Sequence, residues 1–217
     1  MLFRDRVDAG RRLAERLVEL GCRRDGTLVL ALPRGGVPVG AQIALRLEAP
    51  LDVFLVRKLG VPGNEELAMG ALASGGVRVL NEDVIRALSV PAAAIEAIAR
   101  GELVELERRE RVYRASRPAL EVAGLHVILA DDGLATGSTM RAAAIALRGL
   151  APASLTIAVP VAPADSCEAL SRIADRMVCL ATPAPFYGVG QFYQDFRPTS
   201  DAEVVNLLRA AAMPHAA

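Results

Sequence analysis

The chain has 217 residues, 53 % of them hydrophobic, and its 25 basic and 25 acidic side chains cancel. That length and apolar content suit one domain with a full core and exclude a disordered chain. The balanced charge excludes a global field for nucleic acid or an anionic membrane, and neither is expected as a partner.

In chain order, residues 3–21 read as an amphipathic helix. Phe3, Val7, Leu13, Leu17 and Leu20 share one side, Arg11, Arg12, Glu15 and Arg16 lie outside, and Gly21 is a stop. "TLVLAL" (27–32) is a β run, followed by "PRGGVPVG" and an apolar helix through about Leu47. "LDVFLV" (51–56) is a second strand, and "RKLGVPGNEEL" reads as a loop. "MGALASGGVRVLN" reads as two short strands joined by Ser74, Gly75 and Gly76. From Asn81 to Arg117 the pattern is helical, with Pro91 suited to a first turn. The charge run "GELVELERRERVYR" fits a solvated face with i,i+4 pairs, or else a basic contact site. "HVILA" (126–130) is a core strand. A glycine-rich segment, a helix from about Thr139 to Leu150, the strand "LTIAVPV", a helix after Ala164 and the strand "RMVCLA" follow. An aromatic loop (185–196) and a helix from about Asp201 close the chain.

Continuous apolar strands alternating with helices imply a parallel sheet covered on both faces. Ligands in such sheets bind outside the carboxyl ends of the strands. The glycine-rich segments 33–40, 57–63 and 131–139 are expected there, converging on one edge.

Arg4, Asp5 and Arg6 break the apolarity at the N-terminus, so no signal peptide is expected. Charges and prolines interrupt every apolar stretch before the ~18 residues a membrane span needs. Cys22, Cys167 and Cys179 are odd in number and in no metal spacing, which reads as reduced thiols in a cytoplasmic protein. His126 and His215 are the only histidines. A histidine-built metal site is not expected, and His126, opening an apolar run, reads as structural.

"VILADDGLATGSTM" (127–140) concentrates the chemistry. Gly133 and Gly137 permit unusual backbone angles, Thr136, Ser138 and Thr139 offer hydroxyls, and the following helix presents unpaired N–H groups. This is a phosphate cradle, but neither a Walker A loop nor a GxGxxG fingerprint. Asp131 and Asp132 beside such a cradle make sense if ribose hydroxyls or a hydrated Mg²⁺ lie between. The motif therefore describes a sugar phosphate, against the plainer reading of an Asp turn capping a helix.

That segment resembles, over its whole length, the phosphoribosyl pyrophosphate (PRPP) motif of the type I phosphoribosyltransferases. "ALPRGGVPVG" resembles their pyrophosphate loop, "VRKLGVPG" the start of their mobile loop, and the aromatic segment their hood. The resemblance implies an α/β fold: a parallel sheet of about five strands flanked by helices, Rossmann-like. It implies one domain over 1–217 with a helical insertion near 81–118, and a hood near 183–200 completed by the N-terminal segment. It also implies Mg²⁺-dependent transfer of phosphoribosyl from PRPP to a base, with release of pyrophosphate. Arg34, Gly35 and Gly36 would hold pyrophosphate. Asp131, Asp132, Gly133, Ala135, Thr136, Gly137, Ser138 and Thr139 would hold the rest of PRPP, the two acids reaching Mg²⁺ through water.

Arg57 and Lys58 are placed to cover the leaving group, or are a solvated pair. Many 6-oxopurine enzymes of the family carry a third acid where this chain has Ala135. Ala-Thr-Gly after the acids, with an earlier Arg-Lys-x-Gly, is similar to adenine-type members. Glu65 and Glu66 are candidates for the missing carboxylate, Glu66 being taken as catalytic, or are exposed loop charges. Phe186, Tyr187, Phe192 and Tyr193 are half of the chain's eight Phe and Tyr residues. They would stack on a base, with Phe186, Tyr187 and Tyr193 as its binding residues, or pack the C-terminal helix. Asp195 is a further candidate for a ligand amine. The alternative function is a PRPP or nucleotide sensor without turnover, or a partner domain. The resemblance suggests a homodimer.

Overall fold

The computed structural model describes residues 2–23, 25–114, 117 and 120–212, leaving aside the side chains of Glu65, Glu66 and Ala212. The chain runs α1 (Arg6–Glu19), β1 (Thr27–Ala31), α2 (Gly36–Leu47), β2 (Leu51–Val53), β3 (Val56–Val61), β4 (Asn64–Ala73), β5 (Val77–Leu80), α3 (Glu82–Ala87) and α4 (Ala92–Arg114). It continues through β6 (His126–Ala130), α5 (Ser138–Gly149), β7 (Ser154–Val161), α6 (Ala164–Ser171) and β8 (Arg176–Ala181). A 3₁₀ turn at Val189–Phe192 precedes α7 (Asp201–Ala212).

Five strands form a parallel sheet in the order β2-β1-β6-β7-β8. Side chains alternate across it, and both faces are covered. Val29, Ala31, Ile128 and Ala130 join Leu13, Leu17, Ile43, Ile95 and Leu208 on one side. Leu28, Leu30, Val127 and Leu129 join Met140, Leu147, Leu155 and Leu170 on the other. This is the α/β fold that the alternating pattern predicts.

The segment after β2 departs from expectation. "LDVFLV" is not one strand: β2 stops at Val53, the Phe54 N–H donates to the Ala31 carbonyl at 3.0 Å, and the chain leaves for a second sheet. "RKLGVPGNEEL" is not a loop: β3 and β4 form an antiparallel hairpin that β5 extends. Pro62 and Gly63 are its turn, with Gly63 at φ +77°, and the ladder shifts register around Gly60. Glycine and proline here make a tight turn and a bulge rather than a long loop. Residues 57–63 therefore do not end a strand of the parallel sheet. Only the segments after β1 and β6, which are neighbours, meet at its edge.

The N-terminal residues pair with the aromatic segment. Leu2 and Phe3 N–H groups both donate to the Phe192 carbonyl at 2.9 Å, and Gln194 and Asp195 donate back to the carbonyls of Phe3 and Arg4. Phe3, Phe192 and Tyr193 are buried together, with Phe186, Val189 and Phe196 against them. Asp5 caps α1 by accepting the Asp8 N–H at 2.7 Å. Among the described residues no helix is long and apolar enough to cross a membrane.

Candidate active site

Asp131 and Asp132 leave the carboxyl end of β6 beside the turn that follows β1. The Leu32 N–H donates to the Ala130 carbonyl at 2.9 Å and the Gly36 N–H to the Leu32 carbonyl at 3.0 Å, which draws the "PRGG" turn over the acids. The approach is closer than any side chain allows. A Cβ on Gly35 would lie 2.1 Å from Asp132 Oδ2, and one on Gly36 2.8 Å from the Ala130 carbonyl oxygen. The Pro33–Arg34 peptide bond is cis.

The two carboxylates differ in partners. Asp131 Oδ1 accepts the Asp132 N–H at 2.8 Å, and among the described residues no cationic side chain is ion-paired with it. Burial pushes its carboxyl well above the usual range, and the charge of Asp132 adds to that. Asp132 Oδ2 accepts Arg6 Nε at 2.7 Å, both side chains being about nine-tenths buried. Burial raises the Asp132 carboxyl, and Arg6 opposes the rise.

The 133–139 loop leads from β6 into α5. Gly137 is the N-cap of α5 at φ +69° and has no side chain to cap it, while the Ser138 N–H donates to Thr136 Oγ1 at a long 3.4 Å. Such a helix start carries the positive end of the dipole and N–H groups without intrahelical partners. Thr136 Oγ1 lies 3.3 Å from Ser138 Oγ, and Ala135, Thr136, Ser138 and Thr139 are exposed. The loop is fixed from below. The Leu134 N–H donates to the Val161 carbonyl, Ser166 Oγ to the Ala135 carbonyl, and Gly133 packs on Val189.

Two expected cations point elsewhere. Arg34 lies 3.7 Å from Asp201 Oδ1 at the start of α7, and that oxygen also accepts the Tyr113 hydroxyl at 2.6 Å. Arg57 Nε donates to Glu102 of α4 at 2.6 Å. Lys58 is half-buried beside it in β3. The Glu65 and Glu66 side chains lie outside the described part.

The aromatic expectation needs correction. Tyr193 is 2 % exposed, wedged between Phe3 and Phe196 at ring distances of 5.3 and 5.0 Å, and offers no face to a base. Its hydroxyl instead donates to the Asp132 carbonyl at 2.6 Å. Phe192 is likewise buried, with Phe186 packed on it, whereas Tyr187 is 87 % exposed. Clustering in sequence reflected a local apolar core that the aromatic segment shares with Phe3.

Sequence reasoning missed Arg6. It comes from α1, 126 positions from Asp132, and no spacing signals the contact. Beside it opens a cleft of about 380 Å³, walled by Asp5, Arg6, Pro38, Asp195, Arg197 and Glu203. Asp195, paired with Arg197 at 2.6 Å, is the one acceptor candidate from the sequence that lines it.

As a site for Mg²⁺, the acids are a partial donor set. Among the described residues no group of three or more Asp, Glu, His or Cys gathers to hold a metal. Two adjacent carboxylates, one without a cation, fit a Mg²⁺ that keeps its waters and arrives with substrate phosphates.

Fold and site together define a class: an α/β domain in which consecutive carboxylates and a glycine-containing loop leading into a helix follow β6, beside the glycine turn that follows the neighbouring strand β1. Residues 63–195 match the family model described as "Phosphoribosyl transferase domain". Over 210 residues, 97 % of this chain, it is 49 % identical to proteins of two Mycobacterium tuberculosis strains, each named "Putative phosphoribosyl transferase". The chain spans about half the length of these relatives, 47 % of each. A crystal structure of TT1426 from Thermus thermophilus superposes with a TM-score of 0.89 at 41 % identity, covering 98 % of this chain and all of that one. The chain belongs to the phosphoribosyl transferase family.

Proposed function

We propose that this chain transfers the 5-phosphoribosyl group from Mg²⁺-bound PRPP to a nucleobase or similar small amine, releasing pyrophosphate. The observation that carries the reading is the meeting of three features at one sheet edge: the uncapped start of α5, the acidic pair and the glycine turn pressed onto it. The N–H groups of the 136–139 loop would take the 5′-phosphate. Asp131 and Asp132 would accept hydrogen bonds from the ribose hydroxyls, and through water would hold the Mg²⁺. That ion, when bound, would supply neutralisation of the departing pyrophosphate.

Arg34 and the amides of Gly35 and Gly36 would bind the pyrophosphate oxygens. Arg34 is half exposed and paired loosely, at 3.7 Å, so little opposes its release from Asp201. Arg57 and Lys58 would close over the same group. The acceptor nitrogen forms its bond to C1 as the C1–oxygen bond breaks, and that electron pair leaves with pyrophosphate. A carboxylate, for which Glu66 is the candidate, would take the acceptor's proton. The cleft beside Asp195, with Phe186 and Tyr187 in the same hood, would receive the acceptor. A homodimer and a cytoplasmic setting belong to the same reading.

Pyrophosphate release from Mg·PRPP, measured against a panel of purines, pyrimidines and small amines, tests it. Release dependent on one acceptor, abolished in Asp131→Asn and Asp132→Asn, is expected. Full turnover in either variant overturns the assignment. Binding of PRPP without release against any acceptor replaces the transferase with a sensor.

A further inference from the structure

Asp132 does not stand in the site alone: an arginine from the opposite end of the chain holds it. Arg6 Nε donates to Oδ2 at 2.7 Å. The same guanidinium donates through one terminal nitrogen to the Arg197 carbonyl at 2.7 Å, and its carbon lies 3.9 Å from the centre of the Phe196 ring. Three contacts in different directions fix a planar group, which is pre-organised for such a fork and stack. Its side chain is 11 % exposed.

The oxygen that Arg6 takes is the inner one. Oδ2 faces Gly35 so closely that a Cβ there would lie 2.1 Å away, whereas Oδ1 would lie 3.2 Å away. Arg6 therefore occupies the oxygen that the glycine turn already crowds and leaves Oδ1 for another donor. Both ends of Asp132 are tied to the hood, since the Tyr193 hydroxyl holds its carbonyl at 2.6 Å.

We propose that Arg6 is a positioning residue: held by Phe196 and the Arg197 carbonyl, it aims Asp132 at the ribose of PRPP and couples the N-terminal helix and hood to the acidic motif. This rests on the phosphoribosyl reading above. The aim that Arg6 imposes serves the ground state and the transition state alike while the carboxylate itself remains, so losing Arg6 appears in affinity rather than in turnover.

Calorimetric affinity for Mg·PRPP, steady-state kinetics and melting temperature would be measured for the wild type, Arg6→Gln, Arg6→Lys, Phe196→Leu and Asp131→Asn. Loss of one charge-assisted bond predicts a PRPP Kd and KM raised about 10- to 100-fold in Arg6→Gln, with kcat within about threefold. Arg6→Lys keeps the charge but not the fork and restores only part of the affinity. Phe196→Leu raises Kd by about threefold. If Arg6→Gln does not fold, the lysine and leucine variants decide by the same affinities. Folded variants with wild-type affinity, beside an Asp131→Asn that no longer binds PRPP, overturn the role of Arg6 alone. A wild type that does not bind PRPP, or an Asp131→Asn that binds it undiminished, overturns the phosphoribosyl reading and Arg6 with it.

Discussion

Gly35→Ala isolates the contact between the glycine turn and the acidic pair. Gly35 has φ −60° and ψ −34°, angles that any residue adopts, so alanine meets no backbone penalty there. The cost is steric. The new methyl would sit 2.1 Å from Asp132 Oδ2 and 2.7 Å from its Cγ, so the carboxylate must retreat by about 1.3 Å or more to regain ordinary contact. A shift of that size displaces the oxygen that accepts the 2.7 Å bond from Arg6 and breaks that bond's geometry. Overpacking costs about 1–3 kcal/mol and the lost charge-assisted bond about 1.5–3 kcal/mol, so a total of about 2.5–6 kcal/mol is expected. Urea denaturation reads the stability and calorimetry the PRPP affinity, which should fall by about 100-fold or more. Gly101→Ala is the control. It lies inside α4 with nothing within 4 Å of the new methyl, and should gain about 0.5–1 kcal/mol. A Gly35→Ala protein as stable as the wild type, with unchanged affinity, would refute the argument that the two loops are pressed together.

Asp131→Asn removes a carboxylate that burial disfavours and that no cation pairs among the described residues, so it should abolish turnover yet raise the melting temperature; a lower melting temperature would show that the carboxylate is stabilising. Burial, and then the hydrogen bond to Asp201, push the Tyr113 hydroxyl up to about 12. A raised value favours the protonated form, so this stability, roughly 2 kcal/mol, is complete below pH ~10 and lost as pH rises towards ~12. In urea titrations the wild type should exceed Tyr113→Phe at pH 9 and lose that advantage by pH 12, and parallel curves would contradict it. The Arg57–Glu102 pair is about 30 % exposed, so Glu102→Gln should change stability by less than ~1 kcal/mol while altering the KM for PRPP; a larger loss of stability would mark a structural pair instead.

The predicted fold was legible because its signals are local. β1 and β6 read as buried strands since nearly every side chain in them is apolar, which only a sheet covered on both faces permits. The loop into α5 was legible for the same reason: its glycines, hydroxyls and helix start lie within seven residues. The hairpin at 56–73 was misread because Pro62, Gly63 and Gly60 punctuate a loop and a tight, bulged hairpin alike, and only the pairing partner decides between them. Tyr193 was misread because an aromatic cluster has one composition whether it stacks on a ligand or on Phe3, and Phe3 lies 190 positions away in sequence.

Periodicity and backbone freedom act over a few residues. They are enough to set the alternation of strands and helices, the two loops at neighbouring strand ends and the glycines, hydroxyls and carboxylates those loops carry. Which charges meet is a matter of folding in three dimensions. The packed chain brings Arg6 to Asp132, Arg34 to Asp201 and Arg57 to Glu102, and it leaves Asp131 without an ion pair among the described residues. Coulomb and hydrogen-bond energies depend on distance in space, and no local rule of the chain encodes a 2.7 Å contact across 126 residues.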